Sequence, residues 1–139
     1  SYFFEYESNL KALKEEIDSL KSVVKGYQKK QTMPREYDYE KLIKDMIYRL
    51  DRINSDLKYV KDEKTAKRVV TSIKRNFTQF NSLNKKMANM PAPSLEIQEK
   101  LRKKYDADFT ASASEFTSLI AELATKEYAA ELMQVIQSE

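Results

Sequence analysis

The stretch FFEYESNLKALKEEIDSLKSVVKGY (residues 3–27) places apolar side chains at Phe3, Tyr6, Leu10, Leu13, Ile17, Leu20, Val24 and Tyr27, in alternating steps of three and four. A helix turns about 100° per residue, so such steps line up one stripe along one face. A lone helix gains little by forming in water, and a stripe this long and regular asks for other helices to cover it. The spacing predicts a helix over about 2–28. Gly26 stands near its end, and Lys25, Lys29 and Lys30 offset the negative end of its dipole.

The same pattern recurs downstream. After a connection at 31–37 that contains Pro34, with Thr32 or Asp38 as cap, a second helix carries Tyr39, Ile43, Met46, Leu50, Ile53, Leu57 and Val60. Leu42 and Ile47 widen this stripe, which predicts that the helix touches two neighbours. A break is expected at 61–64, where Asp62 or Thr65 caps a third helix with Ala66, Val70, Ile73, Phe77, Phe80, Leu83, Met87 and Met90 on its stripe. Asn84 takes the in-phase place there, either because the stripe drifts around the helix or because a buried Asn sets the register. Met90-Pro91-Ala92-Pro93-Ser94 ends that helix and caps the next.

The fourth helix sets Leu101, Tyr105, Phe109, Ala113, Phe116, Ile120 and Leu123 on one face, with an unusually small middle from Ala107 to Ser114. Its phase changes at Thr125–Lys126, and Tyr128, Leu132, Val135 and Ile136 read as a short last helix or a bent continuation. Short links favour antiparallel neighbours. The expectation is an all-α, single-domain (1–139), antiparallel up-down four-helix bundle, its last helix long or broken into a short fifth. Four stripes in one chain can satisfy one another, which favours a monomer.

Composition narrows the chemistry. The 139 residues contain no His and no Cys, which removes His–nucleophile pairs, thiolate chemistry and the usual zinc ligands. One Gly is too few for a phosphate-cradling loop or a dinucleotide fingerprint. Glu15, Glu16 and Asp18, and likewise Asp106 and Asp108, read as solvated helix faces rather than acid–base pairs. No enzyme activity, catalytic residue, metal or cofactor is expected, and no apolar run approaches the ~20 residues of a membrane span.

Charge is unevenly spread. Residues 105–139 hold seven acids and one base, and residues 1–104 hold 24 bases and 15 acids. In an antiparallel bundle the end of the first helix, the start of the second, the end of the third and the start of the fourth share a pole. That pole collects Lys25, Lys29, Lys30, Arg35, Lys85, Lys86, Lys100, Arg102, Lys103 and Lys104. It is the candidate surface for an anionic partner, either a protein or an anionic lipid surface. The excess of lysine over arginine, a net charge of only +3 and the lack of a reading motif speak against nucleic acid. Tyr48 and Tyr59 fall off their helix's stripe and are read as covering a bundle corner. Phe4 is read as a contact with another chain or with residues upstream.

The run Val60-Lys61-Asp62-Glu63-Lys64-Thr65-Ala66-Lys67, with Pro93-Ser94, Leu101, Lys104-Tyr105, Phe109, Phe116 and Glu131-Leu132, resembles small helical proteins predicted in bacterial genomes, often with an export or lipoprotein signal. The likeness spans about residues 60–136. It implies export to the periplasm or beyond and a helical fold, and it transfers no functional residue. Three roles fit: a structural or protein-interaction module; the extracytoplasmic ligand-sensing domain of a membrane receptor, with Ala107–Ser114 the place for a ligand pocket; or, third in order, a cytosolic regulatory bundle that captures an amphipathic partner helix in an open groove.

Overall fold

The structure is a computed structural model that describes residues 2–31 and 34–139, without the side chains of 2–4, 6 and 26–31. The fold is all-α: α1 (Tyr2–Gln31), α2 (Glu36–Tyr59), α3 (Glu63–Asn89), α4 (Leu95–Leu123), a 3-10 turn (Glu127–Ala129) and α5 (Ala130–Gln137), with no strand among the described residues. Within residues 34–139 the helices pack in the up-down order expected of a bundle, and the last helix is broken, with α5 as the short fifth. The chain divides into two units, Ser1–Met33 and Pro34–Glu139. The first is α1, which continues through Gly26 as far as Gln31.

In the second unit the breaks fall where the local chemistry asks for them. Asp62, one of the two expected caps, is the N-cap of α3: its carboxylate accepts the Thr65 N–H at 2.8 Å. The Thr65 hydroxyl accepts in return from the N–H groups of Lys61 and Asp62, at 2.8 and 3.0 Å. This exchange reverses the chain within three residues without a glycine. At the start of α2, Asp38 lies one turn inside the helix and reaches back to accept the Arg35 N–H at 2.8 Å. Ser94 caps α4 by accepting from Ile97 N–H at 3.3 Å. Thr125, at the expected change of phase, bonds its hydroxyl to the Glu122 carbonyl at 2.8 Å where α4 stops.

Cross-helix bonds give the directions. Arg49 meets Asn76 and Asp56 meets Ser72, so advancing along α2 means retreating along α3, and the pair is antiparallel. Glu36 meets Lys100, Glu40 meets Lys104 and Asp51 meets Ser112, so α2 and α4 run the same way, as up-down-up requires. α2 packs on both α3 and α4, as its widened stripe predicts.

The apolar interior has two parts. The larger joins Ile53, Leu57 and Val60 of α2, Ala66, Val69 and Ile73 of α3, and Leu123, Ala129, Leu132 and Met133 from the far end. Phe77 and Phe116 close its side edge-to-face, their centroids 5.8 Å apart. The smaller gathers Tyr39, Leu101 and Tyr105 at the opposite end. Between them lies a polar layer. Asn54 donates to the Ser112 carbonyl at 2.9 Å, Ser112 Oγ donates to Asp51 at 2.5 Å, and Asn76 accepts from Arg49 at 3.1 Å while donating to the Ser72 carbonyl at 2.9 Å. The buried asparagines are thus Asn54 and Asn76, whereas Asn84 is exposed, which resolves its in-phase position as stripe drift.

Candidate interaction surfaces

Seven of the ten predicted pole residues belong to the second unit, and there the helix ends that carry them do meet. The Tyr39 hydroxyl at the start of α2 donates to the Pro91 carbonyl in the α3–α4 link at 2.6 Å, and Met87 and Ile97 pack on the same cluster. Arg35, Lys85, Lys86, Lys100, Arg102, Lys103 and Lys104 are all exposed around this end. Lys25 is exposed on α1, in the other unit; the side chains of Lys29 and Lys30 lie outside the described residues, as does that of Phe4.

Carboxylates are interleaved with these bases. Lys100 Nζ lies 3.1 Å from Glu36, Lys104 Nζ 2.6 Å from Glu40 and Arg102 Nη1 3.8 Å from Glu99. Among the described residues, Lys85, Lys86 and Lys103 form no ion pair. Linear reading missed Glu36 and Glu40 because their partners stand 64 residues away in both cases. That shared offset is the α2–α4 register, which emerges only once the two helices are known to run parallel.

The most organised charge at this end is the trio Glu40, Lys104 and Tyr105. Glu40 Oε1 accepts from both the Lys104 ammonium and the Tyr105 hydroxyl. The Lys104 bond first, and the Tyr105 bond second, hold the Glu40 carboxyl below its ordinary range. The Glu40 bond in turn raises Lys104, while burial first and Glu40 second raise Tyr105. Lys104 also lies 5.6 Å from the Tyr105 ring centroid. Both bonds of this trio converge on Glu40 Oε1, so it joins α2 to α4 and offsets the Lys104 charge.

Beside it, Ile43, Met46, Met87, Leu101, Tyr105 and Phe109 line a mostly apolar recess of about 310 Å³. The small-residue segment of α4 contributes Thr110, Ala113 and Ser114 to an open recess shared with Phe109, Thr117 and Ser118, and its other face packs on α2. Ser112 is buried, its carbonyl and hydroxyl taken by Asn54 and Asp51, and the absence of bulk lets α2 approach closely. Tyr48 and Tyr59 are exposed at the unit's edge. Arg49 lies 5.4 Å from the centroid of the Tyr48 ring, and Tyr59 accepts from Arg68 at 2.8 Å.

The first unit presents the largest apolar display. Leu10, Leu13, Ile17, Leu20 and Val24 are 42 to 59 % exposed, and Val23 beside them 67 %. Periodicity alone reads this stripe as core. The residue types of the stripe match those of the α2 stripe; the difference between the two lies in the residues on either side.

Among the described residues, no group of His, Cys, Asp and Glu is arranged to hold a metal, and no helix is long and apolar enough to cross a membrane. Comparison with protein families, curated proteins and solved structures finds no match to this chain.

Proposed function

We propose that this chain is a non-enzymatic, exported helical module that works by binding protein. The observation that supports this reading is the exposed row Leu10, Leu13, Ile17, Leu20 and Val24 on α1. A continuous apolar stripe held in water on a 30-residue helix is costly unless a partner covers it. The end of the second unit that carries Lys85, Lys86 and Lys103 is a second, weaker surface, for an anionic partner. The chemistry left to the chain without His and Cys, and with one Gly, supports binding over catalysis.

A photo-crosslinking residue at position 13, in cells that make the protein, tests this. Adducts to protein from position 13, and none from the polar position 78 on α3, are the expected result. No adduct from position 13 overturns the reading. Protease accessibility in intact and permeabilised cells tests export of the gene product.

The apolar recess under Met87 and Phe109 favours a second reading, the ligand-sensing domain of a membrane receptor. Membrane helices flanking this region in the gene support the sensor; a single signal peptide supports the module.

A further inference from the structure

We infer that α1 pairs with α1 of a second copy of this chain as a parallel, in-register two-stranded coiled coil. This rests on the protein-binding reading above and names the partner. Three features of α1 carry it.

The first is the width of the stripe. With Leu10, Ile17 and Val24 at the a positions of a heptad, Leu13 and Leu20 fall at d. The flanking positions are polar: Asn9 and Glu16 at g, and Glu7, Lys14 and Lys21 at e, with Val23 the exception. A helix destined for a globular core needs an apolar arc of about 100° or more, whereas an a/d-only seam fits one partner helix. α2 shows the contrast, because Leu42 and Ile47 widen its stripe and it packs on two neighbours.

The second is side-chain shape. β-Branched Ile17 and Val24 at a, with Leu13 and Leu20 at d, are the combination whose packing favours two parallel strands.

The third is charge. In a parallel, in-register pair, each g side chain meets the e side chain five residues further along the other helix. Glu16 then meets Lys21 of the second copy, and symmetry repeats the attraction; Asn9 meets Lys14. An antiparallel pair that layers Leu13 on Ile17 and Leu10 on Leu20 would instead set Lys14 against Lys14 and Glu16 against Glu16. These charge pairs favour the parallel, in-register arrangement over that antiparallel one.

The test uses the full chain. Sedimentation at rising concentration should show a reversible change from 16.3 kDa to twice that mass. Leu13→Glu with Leu20→Glu should abolish the change while leaving the melting of residues 34–139 in place. Glu16→Lys alone should weaken association about tenfold, since two attractions become two repulsions. Adding Lys21→Glu should restore it.

Because the chain has no Cys, Val24→Cys reports direction cleanly. Mild oxidation should link it to itself. Linkage only in a mixture of Leu10→Cys and Leu20→Cys chains would overturn the parallel arrangement, and a mass independent of concentration would overturn pairing. The crosslink at position 13 separates the two levels of the argument. An adduct solely to a different protein keeps the interaction reading and defeats self-pairing, whereas no adduct defeats both.

Discussion

Ile53→Ala is the sharpest probe of how the second unit is held together. Ile53 is 0 % exposed and lies where α2, α3 and the α5 end converge, against Leu57, Ile73 and Leu132. The substitution removes three carbons, and at about 0.8 kcal/mol per buried methylene the transfer loss is about 2.4 kcal/mol. The void adds to this, because three helices fixed by caps and cross-helix bonds relax into it only in part. Ile-to-Ala changes in such settings cost about 2–5 kcal/mol in total. For a unit the size of residues 34–139 that corresponds to a fall in Tm of about 10–20 °C.

Helical circular dichroism would mix in the signal of α1, so the transition is better followed by tyrosine near-ultraviolet dichroism or by hydrogen exchange of α2 and α3. Leu95→Ala is the control. Leu95 is equally apolar but 78 % exposed in the first turn of α4, and its truncation should change stability by about 0.5 kcal/mol at most. If Ile53→Ala cost no more than Leu95→Ala, the convergence of α2, α3 and α5 described above would be wrong.

Three further outcomes follow from the same geometry. Thr65 holds the Asp62 carboxyl below its ordinary value, through its backbone N–H first and its hydroxyl second, so the stability this gives is present above about pH 4 and lost as pH falls through the lowered value. Asp62→Asn keeps an acceptor at the cap but cannot titrate, and an acid melt should show a shallower decline than wild type; equal slopes would remove the cap from the acid response. Ser112→Leu puts three carbons in place of one hydroxyl oxygen in the tight α2–α4 contact and should cost about 1–3 kcal/mol in a urea melt, while Ser114→Leu, exposed two residues on, should be nearly neutral. At the basic end, Glu36, Glu40 and Glu99 already neutralise three of the seven bases, so binding to anionic vesicles should be measurable at 20 mM salt and vanish near 150 mM. Retention at 150 mM, lost in Lys85→Glu with Lys86→Glu, would show a stronger site than this geometry supports.

The helices and their breaks were legible because each rests on local chemistry. Pro91 and Pro93 cannot continue a helix, Ser94 and Asp62 offer acceptors to unmet N–H groups, and the stripe changes phase at Thr125. The buried polar layer was not legible, because a search for apolar spacing passes over polar residues by construction. Asn54 is buried because α2 has two neighbours and its covered arc reaches beyond the Leu50–Ile53–Leu57 line. Asn76 is buried because Arg49, across the helix pair, gives it a donor. Val69 rather than Val70 is buried on α3 for a related reason: α3 also packs against α5 and the turn before it, which moves the covered face.

The basic end shows the cost of counting charges along the chain. Along the chain Lys100 and Lys104 have Glu96, Glu99, Asp106 and Asp108 for neighbours, but the acids that pair with them are Glu36 and Glu40, brought to them by α2. Only a tertiary register could reveal that. The row on α1 teaches the complementary lesson. Its steps of three and four are as regular as those of α2, yet Leu13 is 52 % exposed and Ile53 not at all. What distinguishes the two is the character of the flanks: Leu42 and Ile47 extend one stripe into a face, and Lys14, Glu16 and Lys21 confine the other to a line. A face is satisfied by several helices and a line by one. Stripe width, readable in the sequence itself, therefore distinguishes the α2 face that builds a core from the α1 line for which we propose a single partner helix.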